Sequence, residues 1–235
     1  MKIAKWTNQY HQQQLKSEKG DALKNSHILK WNDCTIDDIY NYILLQIYFG
    51  TIKLPDIKFC WSKNIYLNQK YVVNKMTRDR YYQISKNIGW SSNSTNKEIK
   101  EEKYKDFLFD IISNSNKLYV SSNQKTIDES MVKFEGRAKN VIYMRDKPIK
   151  WGFKMYVICD SINGFCLNII PHIGDKKFEV KEIVINLAKN LKPNDYLYMD
   201  RYYCSIDLFI HLYKKGIRAT GTILAKGKYT KKYNI

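Results

Sequence analysis

The chain has 235 residues, 44% of them hydrophobic, and a formal net charge of +17. No apolar run reaches the roughly 18 to 20 residues that span a bilayer, and no apolar signal-peptide core follows the N-terminus, so we expect a soluble, intracellular protein of one or two domains. The charge indicates a polyanion as partner, most often nucleic acid, although a lysine-rich surface also serves solubility and can reflect A- and T-rich codons.

The cysteines exclude two common kinds of site. They are odd in number and form no C-x-x-C pair, so the pattern predicts neither a disulfide framework nor a zinc site. We expect buried thiols in a reducing compartment, at the following positions: Cys34, Cys60, Cys159, Cys166 and Cys204.

The first helix predicted with a clear pattern begins at Thr35. Residues 1–33 are polar, and we expect at most a short helix there. Thr35 and Asp38 have the spacing of a capping box, and Gly50 is expected to end the helix as a C-cap. Apolar residues at helical spacing predict one buried face, made of Ile36, Ile39, Tyr40, Ile43, Leu44 and Ile47.

Two further helices complete a predicted helical domain. They cover residues 74–88 and 103–114, with turn-forming residues at 91–96 between them. Because residues 113–123 are rich in Ser and Asn, we place a domain boundary near residue 120. The division is therefore 1–120 and 121–235.

The second part of the chain alternates strands with helices. Asn163-Gly164 predicts a tight hairpin turn between two strands, and an apolar stripe over 180–191 predicts a crossover helix. The order β-β-β-α-β-α-β predicts an α/β fold with a partial ribonuclease-H-like mixed sheet, preceded by the helical domain. The predicted strands are 127–134, 153–159, 165–170, 196–199 and 217–224, and the second helix is 205–215.

The predicted sheet places two carboxylates on neighbouring strands. Asp128 lies on the first strand and Asp200 at the carboxyl end of the fourth, which lies beside the first in such a sheet, so we expect the two to converge. Carboxylate oxygens can hold the divalent ions that assist phosphodiester cleavage. The alternative is structural, since an Asp at a strand end often caps a turn, and Asp200 could cap the helix near Ser205.

Two other acidic residues have predicted roles outside the site. Glu129 alternates with Asp128, so its side chain should face away from Asp128 in a strand. Asp160 precedes the predicted hairpin turn, and a role in the turn is expected for it rather than metal binding.

Several ordered motifs resemble those of piggyBac-type transposases, and the resemblance covers nearly the whole chain. The segment around Thr7-Asn8-Gln9-Tyr10 and the stretch 31–55 are similar to the family's helical dimerisation and DNA-binding segment. The catalytic-domain motifs are Asp128-Glu129-Ser130-Met131, Phe134-Glu135-Gly136-Arg137, Lys147-Pro148-Ile149-Lys150-Trp151-Gly152-Phe153-Lys154, Asp200-Arg201-Tyr202-Tyr203-Cys204-Ser205 and Ala219-Thr220-Gly221-Thr222.

The resemblance implies a DDE recombinase that uses Mg²⁺ or Mn²⁺ to cleave DNA at transposon ends and to transfer the strand to a TTAA target. Asp128 and Asp200 match the first two catalytic, metal-binding carboxylates of the family. The third lies beyond an insertion, and the family's zinc-binding tail does not appear, so we expect a truncated chain that is inactive alone. A homodimer and a nuclear location are also implied.

Basic residues between the first two strands are candidates for DNA contact. A loop near the active face would carry them, and lysine and arginine bind phosphates. The alternative is a solvated, charged loop. These residues are Arg137, Lys139, Arg145, Lys147 and Lys150.

Three hypotheses therefore stand: an incomplete transposase, a non-catalytic DNA-binding or dimerising protein derived from one, and a complete enzyme in which Asp175 or Asp207 replaces the third carboxylate. Arg201 departs from the Asn that is usual in the family. Its cation beside Asp200 would either bind phosphate or disfavour the metal.

Overall fold

The computed structural model describes residues 2–16, 31–92, 102–136, 138, 140–172 and 179–223. The chain divides into two compact units, Met1–Asp110 and Ile111–Ile235. None of the helices in these described ranges is long and apolar enough to cross a membrane.

The first unit is helical and has its own apolar core. That core contains Ile39, Leu45, Cys60, Val72 and Ile84, each fully buried. Its helices are α1 (Lys2–Leu15), α2 (Ile36–Thr51), α3 (Lys70–Lys75) and α4 (Arg78–Asn87), with a 3₁₀ helix at Ile57–Trp61. Helix α5 (Glu102–Leu118) includes residues of both units.

Helix α2 begins as its sequence predicts but buries a different face. The Thr35 side chain accepts from the Asp38 backbone N–H and the Asp38 carboxylate from that of Thr35, so the capping box is confirmed. The buried residues are Ile39, Tyr42 and Leu45. The expectation was wrong for Ile36, Tyr40 and Ile47, whose exposed fractions are 54%, 66% and 64%. The helix has apolar residues on two faces, and periodicity alone does not say which one packs.

Other helix boundaries also differ from the predictions. Gly50 does not end α2, whose C-cap is Ile52. The single helix expected over 74–88 is two helices, because Thr77 is an N-cap that accepts from the Arg80 N–H and begins α4. Helix α1 is 14 residues long where at most a short helix was expected, since Trp6, Thr7 and His11 are buried despite its polar composition.

The second unit is built on a mixed sheet, which confirms the α/β class. The strand order is β2-β3-β1-β5-β6, with β4 also paired to β3. Strand β1 pairs antiparallel with β3 and parallel with β5, and β5 pairs parallel with β6. The strands are β1 (Gln124–Lys133), β2 (Ile142–Tyr143), β3 (Trp151–Asp160), β4 (Cys166–Pro171), β5 (Tyr196–Met199) and β6 (Arg218–Gly221).

The hairpin between β3 and β4 is closed by a five-residue connection, 161–165, rather than by a two-residue turn. Gly164 has φ +74°, a conformation that favours glycine, and its N–H donates to the Asp160 carbonyl at 2.8 Å. The Asp160 carboxylate accepts from the Ile162 N–H at 3.0 Å, which confirms its role in the turn.

Helices α6 (Val180–Leu187) and α7 (Ile206–Lys214) pack on the sheet through side chains at helical spacing. Their buried residues share a core with the middle strands, made of Ile127, Ile158, Leu197, Ile183, Val184, Leu187, Leu208 and Leu212. This core fixes β1 against β5, and with them the two carboxylates described next.

Candidate active site

Asp128 and Asp200 occupy equivalent levels on two neighbouring strands. The parallel register of β1 and β5 ends at the pair Ile127↔Met199, and each of these residues is followed directly by one of the two aspartates. Ile127 and Met199 are buried, whereas both aspartates are exposed. The pairing of β1 with β5 therefore places the two aspartates at the same end of neighbouring strands, although they are 200 − 128 = 72 positions apart in the chain.

Each carboxylate is oriented by the next backbone N–H. Asp128 Oδ1 accepts from the Glu129 N–H at 2.7 Å, and Asp200 Oδ1 accepts from the Arg201 N–H at 2.5 Å. Asp200 thereby caps the 3₁₀ helix Arg201–Tyr203, whereas α7 is capped by Ser205. The capping role considered for Asp200 therefore applies to this short helix and not to α7. One oxygen of each carboxylate is left without a hydrogen bond from these neighbours.

Lys147 lies beside Asp128. Its Nζ is 3.8 Å from Asp128 Oδ1 and 3.8 Å from Glu129 Oε2, and it donates to the Glu129 carbonyl at 3.2 Å. The Asp128 side chain is 57% exposed, so the ammonium offsets part of its charge without closing the site to solvent.

Of the four other basic candidates, two lie within the described residues and two lie outside them. Arg145 and Lys150 are exposed, in a loop closed by a hydrogen bond from the Met144 N–H to the Lys150 carbonyl at 2.8 Å. Arg137 and Lys139 lie outside the described residues. Of the basic candidates that are described, Lys147 is the one that contacts Asp128.

The Glu129 carboxylate is buried, but the expectation that it faces away from Asp128 does not hold. The same Lys147 Nζ lies 3.8 Å from both carboxylates, and hydrogen bonding with Asp128 contributes to the pKa of Glu129. Lys154 Nζ of β3 donates to Glu129 Oε1 at 3.2 Å, and both side chains are 11% exposed. Burial alone would raise the pKa of Glu129, but hydrogen bonding and the Lys154 ammonium outweigh it and hold that pKa below its ordinary value. Sequence reasoning did not single out Lys154. Its signal is a charged residue at an inward position of a strand whose alternate residues are buried.

Asp128 and Asp200 offer the oxygen ligands that a hard divalent cation binds. Carboxylate oxygens are ligands that Mg²⁺ and Mn²⁺ take. Among the residues that the structure describes, no three His, Cys, Asp or Glu side chains come together as a metal site. Asp207 lies in the first turn of α7, and Asp175 falls outside the described residues. The described residues therefore supply two carboxylates.

The chain is similar to known proteins over most of its length. The family model described as "Transposase IS4" matches residues 1–232. The human PiggyBac transposable element-derived protein 3 is 23% identical over 185 residues, which are 74% of this chain and 31% of the relative. The human chimeric ERCC6-PGBD3 protein is also 23% identical over 185 residues, which are 17% of its length.

A solved structure has the same fold. It is the cryo-EM structure of a piggyBac transposase synaptic complex with hairpin DNA, with a TM-score of 0.76 and 22% identity over 96% of this chain. This chain spans 48% of that protein and less than a third of the curated relatives that it matches. On the family match and these likenesses, the chain belongs to the Transposase IS4 family and is a piggyBac-type transposase domain.

Proposed function

We propose that this chain takes part in metal-dependent DNA strand cleavage and strand transfer at TTAA sites, with Asp128 and Asp200 as metal-binding catalytic carboxylates. The observation that carries the proposal is their position directly after the last register pair of β1 and β5. The strand order, with parallel β5 and β6 beside an antiparallel β1 and β3, supports a ribonuclease-H-like sheet.

The division of labour that we propose follows the two parts of the chain. Residues 1–120 serve in dimerisation and DNA binding, and residues 121–235 carry the two carboxylates. The partners are DNA, as transposon ends and TTAA target, and a second copy of the chain. A nuclear location follows from such a substrate.

In this proposal the protein's own residues hold and orient the reacting groups. Asp128 and Asp200 supply oxygen ligands for Mg²⁺ or Mn²⁺ on one edge of the β1/β5 pair, and their N–H partners fix their orientation. Bound divalent ions would supply activation of the attacking hydroxyl and stabilisation of the leaving oxygen. Arg145, Lys147 and Lys150 would bind phosphates, and the same role is proposed for Arg137 and Lys139.

A nicking assay tests this proposal. The full chain is incubated with Mn²⁺ or Mg²⁺ and a duplex that carries a transposon end beside TTAA, and strand breaks are read on a denaturing gel. Metal-dependent nicks that disappear in Asp128→Asn and in Asp200→Asn, each of which keeps the size of the side chain but removes its charge, would support the assigned roles. Nicks of equal yield in these variants would refute the assigned roles.

A second function has an observation in its favour. Among the described residues the site holds two carboxylates, and the cation Lys147 lies beside one of them. This arrangement supports a non-catalytic, DNA-binding or dimerising protein derived from a transposase. Such a protein would bind DNA through phosphates without any need for the metal.

Salt-dependent binding distinguishes the two functions. Anisotropy of a labelled duplex is measured over a range of KCl concentrations for the wild type, Lys147→Gln/Lys150→Gln and Lys214→Gln. Lys214 is an exposed lysine at the end of α7, and its variant, which removes one positive charge where the double variant removes two, controls for a general effect of lost charge. Each lost phosphate contact lowers the slope of log affinity against log salt by about 0.9. DNA binding without nicking favours the second function, whereas nicking favours the first.

A further inference from the structure

Lys154 connects the neighbours of both candidate carboxylates. Its Nζ donates to Glu129, the residue after Asp128, and lies 5.0 Å from the centre of the Tyr202 ring, two residues after Asp200. The same ammonium lies 4.8 Å from the centre of the Tyr156 ring. It is therefore surrounded by one carboxylate and two aromatic faces, all partners that favour a cation.

Such a buried ion pair is a poor source of stability. Taking an ammonium and a carboxylate out of water costs several kcal/mol per ion, and apolar side chains of similar volume often serve stability as well or better. The Lys154 and Glu129 side chains are each 11% exposed, so this cost applies to both. A geometric role explains the pair better than a contribution to stability.

The backbone pairing alone does not extend to the site. The paired register of β1 and β5 stops at Ile127↔Met199, one residue before each aspartate. Beyond that pair, the chain after β5 turns into the 3₁₀ helix Arg201–Tyr203 while β1 continues to Lys133. Lys154 contacts both diverging segments where the ladder ends.

We propose that Lys154 is a positioning residue, which sets the spacing of the Asp128 and Asp200 carboxylates by holding Glu129 and Tyr202 around one ammonium. The inference rests on the proposed function for the part that concerns metal binding. The orientation of the Asp128 and Asp200 side chains is a property of this chain alone, and it can be measured without any cleavage reaction.

Backbone amides report this orientation directly. The Glu129 and Arg201 N–H groups donate to the two carboxylates, so their ¹H–¹⁵N chemical shifts in the full, metal-free chain follow the carboxylate positions. The second readout is the Mn²⁺ dissociation constant, measured by electron paramagnetic resonance of the free ion.

The informative variant is Glu129→Gln/Lys154→Met, which removes both charges and leaves no unpaired buried ion. We expect it to fold, to shift the Arg201 amide, which belongs to neither substituted residue, and to bind Mn²⁺ about 10-fold to 100-fold more weakly, the range typical of residues that orient metal ligands. Lys154→Arg keeps a cation between the same partners and is expected to restore most of the affinity.

A matched control lies at the other end of the same strand pair, where Lys125 is on β1 and Asp195 directly precedes β5. Lys125 and Asp195 form a buried ion pair 2.8 Å long at the other end of β1 and β5. The variant Lys125→Met/Asp195→Asn changes stability, and we expect it to leave the reporter amides and Mn²⁺ affinity unchanged. An equal loss of affinity in this control would mean that Lys154 acts through general stability, which overturns the proposal.

Two failures can be told apart. If Asp128→Asn/Asp200→Asn binds Mn²⁺ as well as the wild type does, the proposed metal site is wrong, and the amide shifts still decide whether Lys154 positions the carboxylates. If the wild type binds Mn²⁺ through the aspartates, but Glu129→Gln/Lys154→Met changes neither the Arg201 amide shift nor affinity, then Lys154 has no positioning role.

Discussion

The two ends of the β1/β5 strand pair place their charged residues in opposite environments. At the amino end, the Lys125 ammonium and the Asp195 carboxylate form a 2.8 Å ion pair whose side chains are 5% and 10% exposed. At the carboxyl end, Asp128 and Asp200 have like charge and are exposed. The strands are the same, and the distance between the two ends is a few residues.

The charges at the amino end stabilise the fold, whereas the charges at the carboxyl end are available to a ligand. Asp160 also belongs to the amino end, since it pairs with Lys125 in the β1/β3 register. Its carboxylate accepts from the Ser122 N–H at 2.7 Å, the Ser122 hydroxyl at 2.8 Å and the Tyr119 hydroxyl at 2.8 Å. Carboxylates at this end are buried with their partners, whereas Asp128 and Asp200 are exposed, with Lys147 beside Asp128.

The largest expected effect is at the amino end. Lys125→Met leaves the Asp195 carboxylate buried without its cation, which should lower the free energy of unfolding by about 3–5 kcal/mol. Urea denaturation followed by circular dichroism measures this loss. Lys125→Met/Asp195→Asn removes both charges and should recover a large part of it. Equal losses in the single and double variants would contradict the comparison.

A smaller loss is expected from Asp160→Asn. Burial alone would raise the pKa of Asp160, but the N–H groups of Ile162 and Ser122 outweigh it and hold that pKa well below its usual range. Because hydrogen bonds to a charged group contribute about 1.5–3 kcal/mol, we expect a loss of that order at pH 7.

The pH dependence of this loss has a definite sign. A carboxylate with a lowered folded-state pKa stabilises the protein above its unfolded pKa of about 3.9, and this contribution disappears as pH falls toward the folded value. The difference in unfolding free energy between wild type and Asp160→Asn should therefore shrink below about pH 4. A difference that stayed constant from pH 7 to pH 3 would mean that the charge of Asp160 is not what stabilises the hairpin.

At the carboxyl end the expected change in stability is close to zero. Asp128→Asn and Asp200→Asn alter exposed side chains, so each should change the free energy of unfolding by no more than about 0.5 kcal/mol. The same denaturation experiment measures both. A loss as large as that of Lys125→Met would show that these carboxylates have a structural role, and the contrast between the two ends would fail.

The smallest effect concerns Arg201, which is exposed and forms no ion pair with the described residues. Arg201→Asn removes a cation beside Asp200. Charges at a protein surface interact weakly, so we expect Mn²⁺ affinity to rise by no more than about twofold, roughly 0.4 kcal/mol. Titration of Mn²⁺ measures it, and a parallel anisotropy experiment with DNA provides the contrast. A fall in DNA affinity with unchanged Mn²⁺ affinity would assign Arg201 to phosphate binding instead.

The chain order of strands and helices and the placement of β5 beside β1 could be predicted from the sequence, whereas the two-residue strand β2 was missed. Both depend on alternation, turn residues and the short-range order of strands and helices, which are local signals. The capping box of α2 is local in the same sense, because Thr35 and Asp38 bond to each other's backbone.

Features that depend on packing could not be predicted. The exposed face of α2 and the buried face of α1 are decided by which neighbours cover them, and composition does not record that. Lys154 shows the same limit within the site, since a lysine in a strand is ordinarily placed at the surface. Only the positions of Glu129, Tyr156 and Tyr202 around it account for its burial.

The long chain separation between Asp128 and Asp200 has a consequence for the order of folding. The β3/β4 hairpin closes over a few residues, whereas pairing β1 with β5 closes a loop of about seventy residues and must overcome a larger entropy before any contact compensates for it. The two carboxylates therefore meet only when this non-local pairing forms. A refolding chain should form the hairpin before it forms the proposed metal site, so the onset of Mn²⁺ binding during refolding would mark the completion of the sheet.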